Sequence, residues 1–142
     1  MSVLEKVNPD EIYVGNLDTG DDLLEKLTEI CKVKNIRLGM IEGIGVVQKA
    51  VIGYYDQTDQ QYLYKNLDQP LEITCLTGNI SIKDGEPMVH AHITLADEEG
   101  NCFGGHLAAG TLVFACEFII QSFTGAELER YFDEDTKLSL WK

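Results

Sequence analysis

Residues 88–96, Met-Val-His-Ala-His-Ile-Thr-Leu-Ala, alternate without a break, and this constrains the fold more than any other stretch of the chain. Val89, Ala91, Ile93 and Leu95 fall on one face; Met88, His90, His92, Thr94 and Ala96 fall on the other. A period of two is the mark of a half-buried strand. Asp97-Glu98-Glu99-Gly100-Asn101 reads as a turn, and residues 101–107 as the return strand. With Glu98-Glu99-Gly100 as a three-residue hairpin loop and Gly100 left-handed, Asp97 faces Asn101. The pairs then run Leu95 with Phe103, His92 with His106 and Ala91 with Leu107. A slip of one residue would carry His106 to the apolar side. Gly104-Gly105 is the place where a bulge could upset this register.

All three histidines of the chain lie in this hairpin. The register sets His92 opposite His106, with Cβ atoms about 5 Å apart, and His90 two residues along the same face, roughly 6.6 Å away. Three imidazoles converging from two adjacent strands form an open three-ligand metal site, suited by ligand softness to Zn, Ni, Cu or Fe. The alternative is that His90 and His92 are surface residues and His106 packs at the strand end. Cys102 shares the histidine face, but lies about 13 Å from His106 along an extended strand, and so makes a poor ligand to the same ion.

Charge limits what such a site can serve. The chain of 142 residues carries 11 basic against 24 acidic side chains, a net charge of −13. Nucleic-acid affinity rests on phosphate neutralisation by Lys and Arg, and no basic cluster is present to supply it, so direct DNA binding is disfavoured. No apolar run reaches the length of a membrane span, and the first residues do not read as a signal peptide. Cys31, Cys75, Cys102 and Cys116 form no C-x-x-C pair; they read as reduced thiols of a cytoplasmic protein. The length suits a single domain, residues 1–142.

Elsewhere the pattern predicts strands with one clear helix. Residues 10–17 read as a first strand. A helix starts in the acidic segment 17–22 and ends near residue 34, with Leu23, Leu24, Leu27, Ile30 and Cys31 at helical spacing, and covers one face of the sheet. Residues 36–46 are apolar with three glycines; Val46–Tyr55, Gln61–Tyr64 and Leu71–Lys83 read as strands. Tyr54, Tyr55, Tyr62 and Tyr64 form an aromatic cluster, read as cross-strand packing. Thr111–Ser122 is apolar on both faces, which predicts a central strand or a subunit interface. Glu117 is its one charge, expected to be buried and paired. Residues 125–132 read as a connector, 133–136 as an acidic turn, and the end of the chain as a last strand.

The chain resembles the PPC (plant and prokaryote conserved) domain family. The resemblance is carried by Leu71-Glu72-Ile73-Thr74-Cys75-Leu76-Thr77-Gly78-Asn79-Ile80, by Pro87-Met88-Val89-His90-Ala91-His92-Ile93, and by Gly100-Asn101-Cys102-Phe103-Gly104-Gly105-His106-Leu107 with Gly110-Thr111. It implies an α+β fold, a mostly antiparallel sheet flanked by a few helices, assembled as a homotrimer. It also implies a metal site at His90, His92 and His106. Plant relatives join the domain to AT-hooks; no hook is present here, so DNA binding does not carry over. Two function classes follow. One is a trimer with a divalent metal, zinc first, in each subunit, acting on or binding a small molecule, with Glu42, Glu72, Glu86 or Glu117 as possible base. The other is a regulatory or protein-interaction module whose metal is structural or absent.

Overall fold

A computed structural model describes residues 2–142. In chain order the elements are β1 (Val7–Leu17), α1 (Leu23–Val33), β2 (Gly39–Asp56), β3 (Gln61–Leu67), β4 (Leu71–Lys83), β5 (Glu86–Ala96), β6 (Cys102–Leu107), β7 (Leu112–Gly125), β8 (Glu129–Phe132) and β9 (Ser139–Trp141). All nine strands join one sheet, in the order β1-β7-β2-β6-β5-β4-β8-β9 with β3 paired to β2. Every pairing is antiparallel except the short one between β4 and β8. The expected mostly antiparallel α+β class holds, with one difference: the described residues contain a single α-helix rather than a few.

That helix begins later than its acidic approach suggests. Asp18-Thr19-Gly20-Asp21 forms a turn, in which Asp21 accepts from the Asp18 amide, and Asp22 is the N-cap, its carboxylate accepting from the Glu25 amide at 3.1 Å. A carboxylate there satisfies a backbone N–H that the helix leaves open. The helix closes at Lys34, followed by Asn35 with φ +53°, a left-handed stop that Asn tolerates. Leu23, Leu27 and Cys31, four residues apart, are fully buried. They pack over the apolar side of β5, where Val89, Ala91, Ile93 and Leu95 are buried in the same core.

β2 changes partners along its 18 residues. Its first half lies between β4 and β7; its second half runs beside β3 and meets β6 at Ile52 and Gly53. The sheet therefore closes on itself through β2, β4, β5 and β6. The bend falls where the registers shift, between Gly43 and Gly45 on one side and Val46 and Lys49 on the other. Gly45 has φ +151°, and its α-carbon faces the Ala115–Cys116 backbone too closely to admit a Cβ. A bulge with a glycine at its centre is how one strand bends to serve two neighbours. This explains why residues 36–46 and 46–55, which read as separate segments, form one continuous strand.

β7 is central in its part of the sheet, between β1 and β2. Val113, Cys116, Phe118 and Ile120 are buried while Phe114 and Ile119 are exposed. Glu117 corrects the expectation of a buried acid: it points to the exposed side with Ile119. The expected connector at 125–132 also differs, since its end forms β8, which pairs with β4 and β9.

Close backbone approach makes Gly78 a test of the β4–β5 pairing. A Cβ there would stand 2.8 Å from the Ala91 α-carbon and closer still to the His90 carbonyl. We expect Gly78→Ala to lower stability by about 1–3 kcal/mol in urea or heat denaturation, the usual cost of overpacking. Wild-type stability in this variant would contradict the register of β4 on β5.

Candidate metal centre

The histidine hairpin forms as its pattern requires. Asp97 accepts the Gly100 amide through its carbonyl, and its own amide donates to the Asn101 carbonyl, both at 3.0 Å. Gly100 is left-handed at φ +81°. The Asp97 carboxylate also accepts from the Glu99 and Asn101 amides and from the Asn101 side chain. These donors hold its pKa below the usual carboxylate value, the Asn101 side chain most. The register runs Ala96 to Cys102, Leu95 to Phe103 and His92 to His106, with no shift at Gly104-Gly105.

His92 and His106 therefore face one another, with ring centroids 5.7 Å apart. His90 lies 5.4 Å from His92 and 5.0 Å from His106. One ligand nitrogen from each of the three lies within 4.8 Å of the other two, so this cluster could hold a metal ion. In a tetrahedral zinc site with Zn–N bonds of about 2.0–2.1 Å the nitrogens stand about 3.3 Å apart, within reach of small ring rotations. His90 and His106 are half-buried and His92 is exposed. Two further observations suit a metal. The Nδ1 atom of His106 is buried and has no hydrogen-bond partner. Burial, with Arg130 and the other two histidines adding to it, lowers His90 to about 4. Burial first, then His92 and Arg130, lowers His106 too. Both rings are thus held in the neutral form that a metal requires.

Cys102 stays outside the cluster, as its distance along β6 requires. The four glutamates considered as bases do not join it either. Glu42 and Glu117 line a different cavity of about 370 Å³, with Val14, Ile44, Cys75 and Ile119. Glu72 pairs with Ala96 at the far end of β5, and Glu86 opposes Lys83 at the β4–β5 turn.

What surrounds the histidines instead is aromatic and cationic. A cavity of about 230 Å³ is lined by His90, His106, Tyr62, Lys83, Arg130 and Lys137, among others, and by no carboxylate. Tyr62 opposes Tyr55 in the β2–β3 hairpin, and its ring lies 4.8 Å from that of His106. Gly53 makes room: a Cβ there would stand 3.1 Å from the Tyr62 ring and 3.4 Å from His106 Cβ. Burial raises the Tyr62 hydroxyl, which keeps it protonated. Of the four tyrosines expected to pack across strands, Tyr55 and Tyr62 do so and Tyr62 stacks on Tyr64 along β3, which extends the packing onto the histidine site; Tyr54 is exposed opposite Leu63 and has no part in it. Tyr55 donates to the Thr136 carbonyl and Gln60 to the Asp135 carbonyl, which fastens the β8–β9 turn over this side. Arg130 went unnoticed in the sequence because it falls in a segment read as a connector. The available signal was its rarity, since the chain has two arginines.

Comparison with known proteins agrees with this architecture. Residues 4–124 match the model of the Plants and Prokaryotes Conserved (PCC) domain. A metal-containing protein from Archaeoglobus fulgidus superposes with a TM-score of 0.94 at 40% identity, covering 99% of each chain. A plant- and prokaryote-conserved (PPC) protein from Pyrococcus horikoshii superposes at 0.93 with 35% identity, covering 99% of this chain and 97% of that one. Among curated proteins, the bifunctional protein GlmU of a Synechococcus strain is 32% identical over 111 residues, 78% of this chain. The chain spans 16% of the length of the curated relatives it matches. Arg130 and Lys137 lie beyond the matched segment. With the family model matched over most of its length, the chain belongs to the plant and prokaryote conserved domain family.

Proposed function

We propose that His90, His92 and His106 hold one divalent metal, zinc first, and that this centre captures a small molecule. The observation that carries the proposal is the convergence of three imidazoles within 4.8 Å, one with an orphaned buried nitrogen. A similar protein from Archaeoglobus fulgidus is metal-containing. Held by three protein ligands, a zinc ion would keep a coordination position for a small molecule, and would supply Lewis-acid polarisation of a bound oxygen or a bound water with a pKa of about 7. Among the described residues no carboxylate joins the histidines or lines the adjoining cavity. A site without a carboxylate base favours capture of a ligand over its hydrolysis, with the Tyr62 ring 4.8 Å from that of His106. The net charge of −13 weighs against direct DNA binding.

The chain is further proposed to assemble as a homotrimer. The number three comes from the family resemblance. An exposed apolar strip supports an interface: Val14 on β1 is 78% exposed, Ile119 on β7 47% and Ile44 on β2 57%. Val14 pairs directly with Ile119, and Glu42 and Glu117 flank them. Contiguous apolar surface of this kind marks an interaction site.

Elemental analysis of the purified protein should show about one divalent ion per chain. The triple variant His90→Ala, His92→Ala, His106→Ala should lose it, and Cys102→Ala should keep it. A triple variant with wild-type metal content would move the centre elsewhere.

The metal-free protein should also report the buried imidazoles. His90 stands at about 4 in the fold against an ordinary 6.5. Between those values the unfolded chain binds more protons than the folded one, so stability falls as pH drops from about 6.5 toward 4. His106 contributes with the same sign. Asp97, Glu127 and Asp133 are held low, and their contributions begin to be lost at the acid end of this window and chiefly below it. Denaturation midpoints should decline across this window, and His90→Gln should flatten the slope; an equal slope in both proteins would count against a buried neutral His90.

Light scattering should give about three times the 15.8 kDa chain mass. Ile119→Asp should shift the population toward monomer, because it places a charge in the strip. A wild-type mass of one chain would remove the trimer.

A further inference from the structure

The cavity beside the histidines has the opposite charge to the molecule around it. In a chain with 24 acidic and 11 basic residues, Lys83, Arg130 and Lys137 line it and no carboxylate does. Arg130 is the decisive group. It is 9% exposed, and a charge so buried ordinarily has a counter-charge. None of the ion pairs among the described residues includes it. Its partners are neutral: Nε donates to Ser81 Oγ at 2.8 Å, one terminal nitrogen to Asn79 Oδ1 at 2.8 Å, and the other to the Ser139 carbonyl at 3.2 Å. A guanidinium has five N–H donors. Two remain without a protein acceptor, one on each terminal nitrogen. Trp141, whose ring lies 5.1 Å from Arg130 Cζ, also has a buried N–H with no acceptor. Lys83 is in no ion pair among the described residues, and Lys137 shares its charge with Glu134 at 2.7 Å.

We propose that this cavity binds the oxyanion group of a small molecule, a carboxylate or a phosphate, on the free N–H pair of Arg130 with Lys83 and Lys137 beside it. A planar fork of two N–H donors matches either group in a bidentate grip. His90 and His106 line the same cavity, so an anion anchored there presents its other end to the histidine cluster. At about 230 Å³ the space is below the roughly 300–1,000 Å³ of drug-sized sites and suits a small ligand. The assignment deepens the metal-centre proposal and rests on it for the role of the bound anion. The grip itself belongs to residues that need no metal.

Calorimetric titration of the full chain tests this, metal-free and zinc-loaded, with inorganic phosphate and with oxalate as probes. At least one probe should bind the metal-free wild type at one per chain, and the preferred probe tells phosphate from carboxylate. Arg130→Gln should weaken that binding about tenfold or more, the loss of charged hydrogen bonds. Because Arg130 also ties β8 to β4, circular dichroism must show the variant folded. If it is not, Lys83→Gln decides: a several-fold loss supports the anion site, and wild-type affinity overturns it. Anion binding by a protein that takes up no zinc would leave the anion site standing and remove the metal centre. Failure of both probes to bind the metal-free wild type, with zinc uptake intact, would overturn the anion site alone.

Discussion

The two-sidedness of β5 is the constraint on which the rest depends. Its odd-numbered residues Val89 to Leu95 are pinned under α1, and Leu23, Leu27 and Cys31 leave no freedom for the strand to turn over. Burial of an apolar side chain is worth about 1.5–3 kcal/mol, so exposing this set would cost several times the strength of any single polar contact on the other face. The histidine face is thus defined by what the core demands of its opposite side. The turn at Asp97–Asn101 then fixes the partner strand, since a left-handed Gly100 and a carboxylate accepting several amide donors permit one register. Convergence of the imidazoles follows from packing and turn chemistry, with no contribution required from a metal.

Much of this was legible because it is local. The alternation at 88–96, the loop glycine and the histidine spacing are all within twenty residues of sequence, and the structure repeats the register derived from them. The helix was legible for the same reason, though its start was not: Asp18 and Asp22 are equally good caps by composition, and the choice of Asp22 depends on contacts with the β6–β7 turn, where the Gly110 amide donates to its carboxylate. Glu117 was misread because a charge within an apolar run looks buried when the faces cannot be told apart. The outward face of β7 is apolar as well, and Glu117 sits on it with Ile119.

The cationic wall was illegible because it is assembled from far apart. Arg130 reaches Ser81 and Asn79 across about fifty positions, and Tyr55 meets the residue-136 backbone across about eighty. No periodicity marks such a contact. The segment also carries an acidic triplet, Asp133-Glu134-Asp135, which suggests a solvated turn and conceals that its neighbours line the cavity beside the histidines. What the sequence does show, a strongly acidic chain, is the opposite of the potential that the fold builds locally. Charge summed over a chain governs long-range encounter. Side-chain placement governs a site.

Arginine at position 130 resolves two demands that a lysine could not meet together. The β8–β9 hairpin is short, joined to the main sheet by two residue pairs between β8 and β4, and needs further attachment. Three donors of Arg130 supply it, bridging Ser81 and Asn79 on β4 to Ser139 on β9, with the guanidinium carbon over the Trp141 ring at 5.1 Å. A lysine has three donors from a single nitrogen and would exhaust them on these acceptors. The guanidinium meets them and keeps two N–H groups in a fixed plane. Its charge is not neutralised by those bonds, because every acceptor is neutral. The same side chain therefore secures the hairpin that walls the cavity and keeps a positive charge there, and the ordering of the wall and the electrostatics of the site cannot be varied independently.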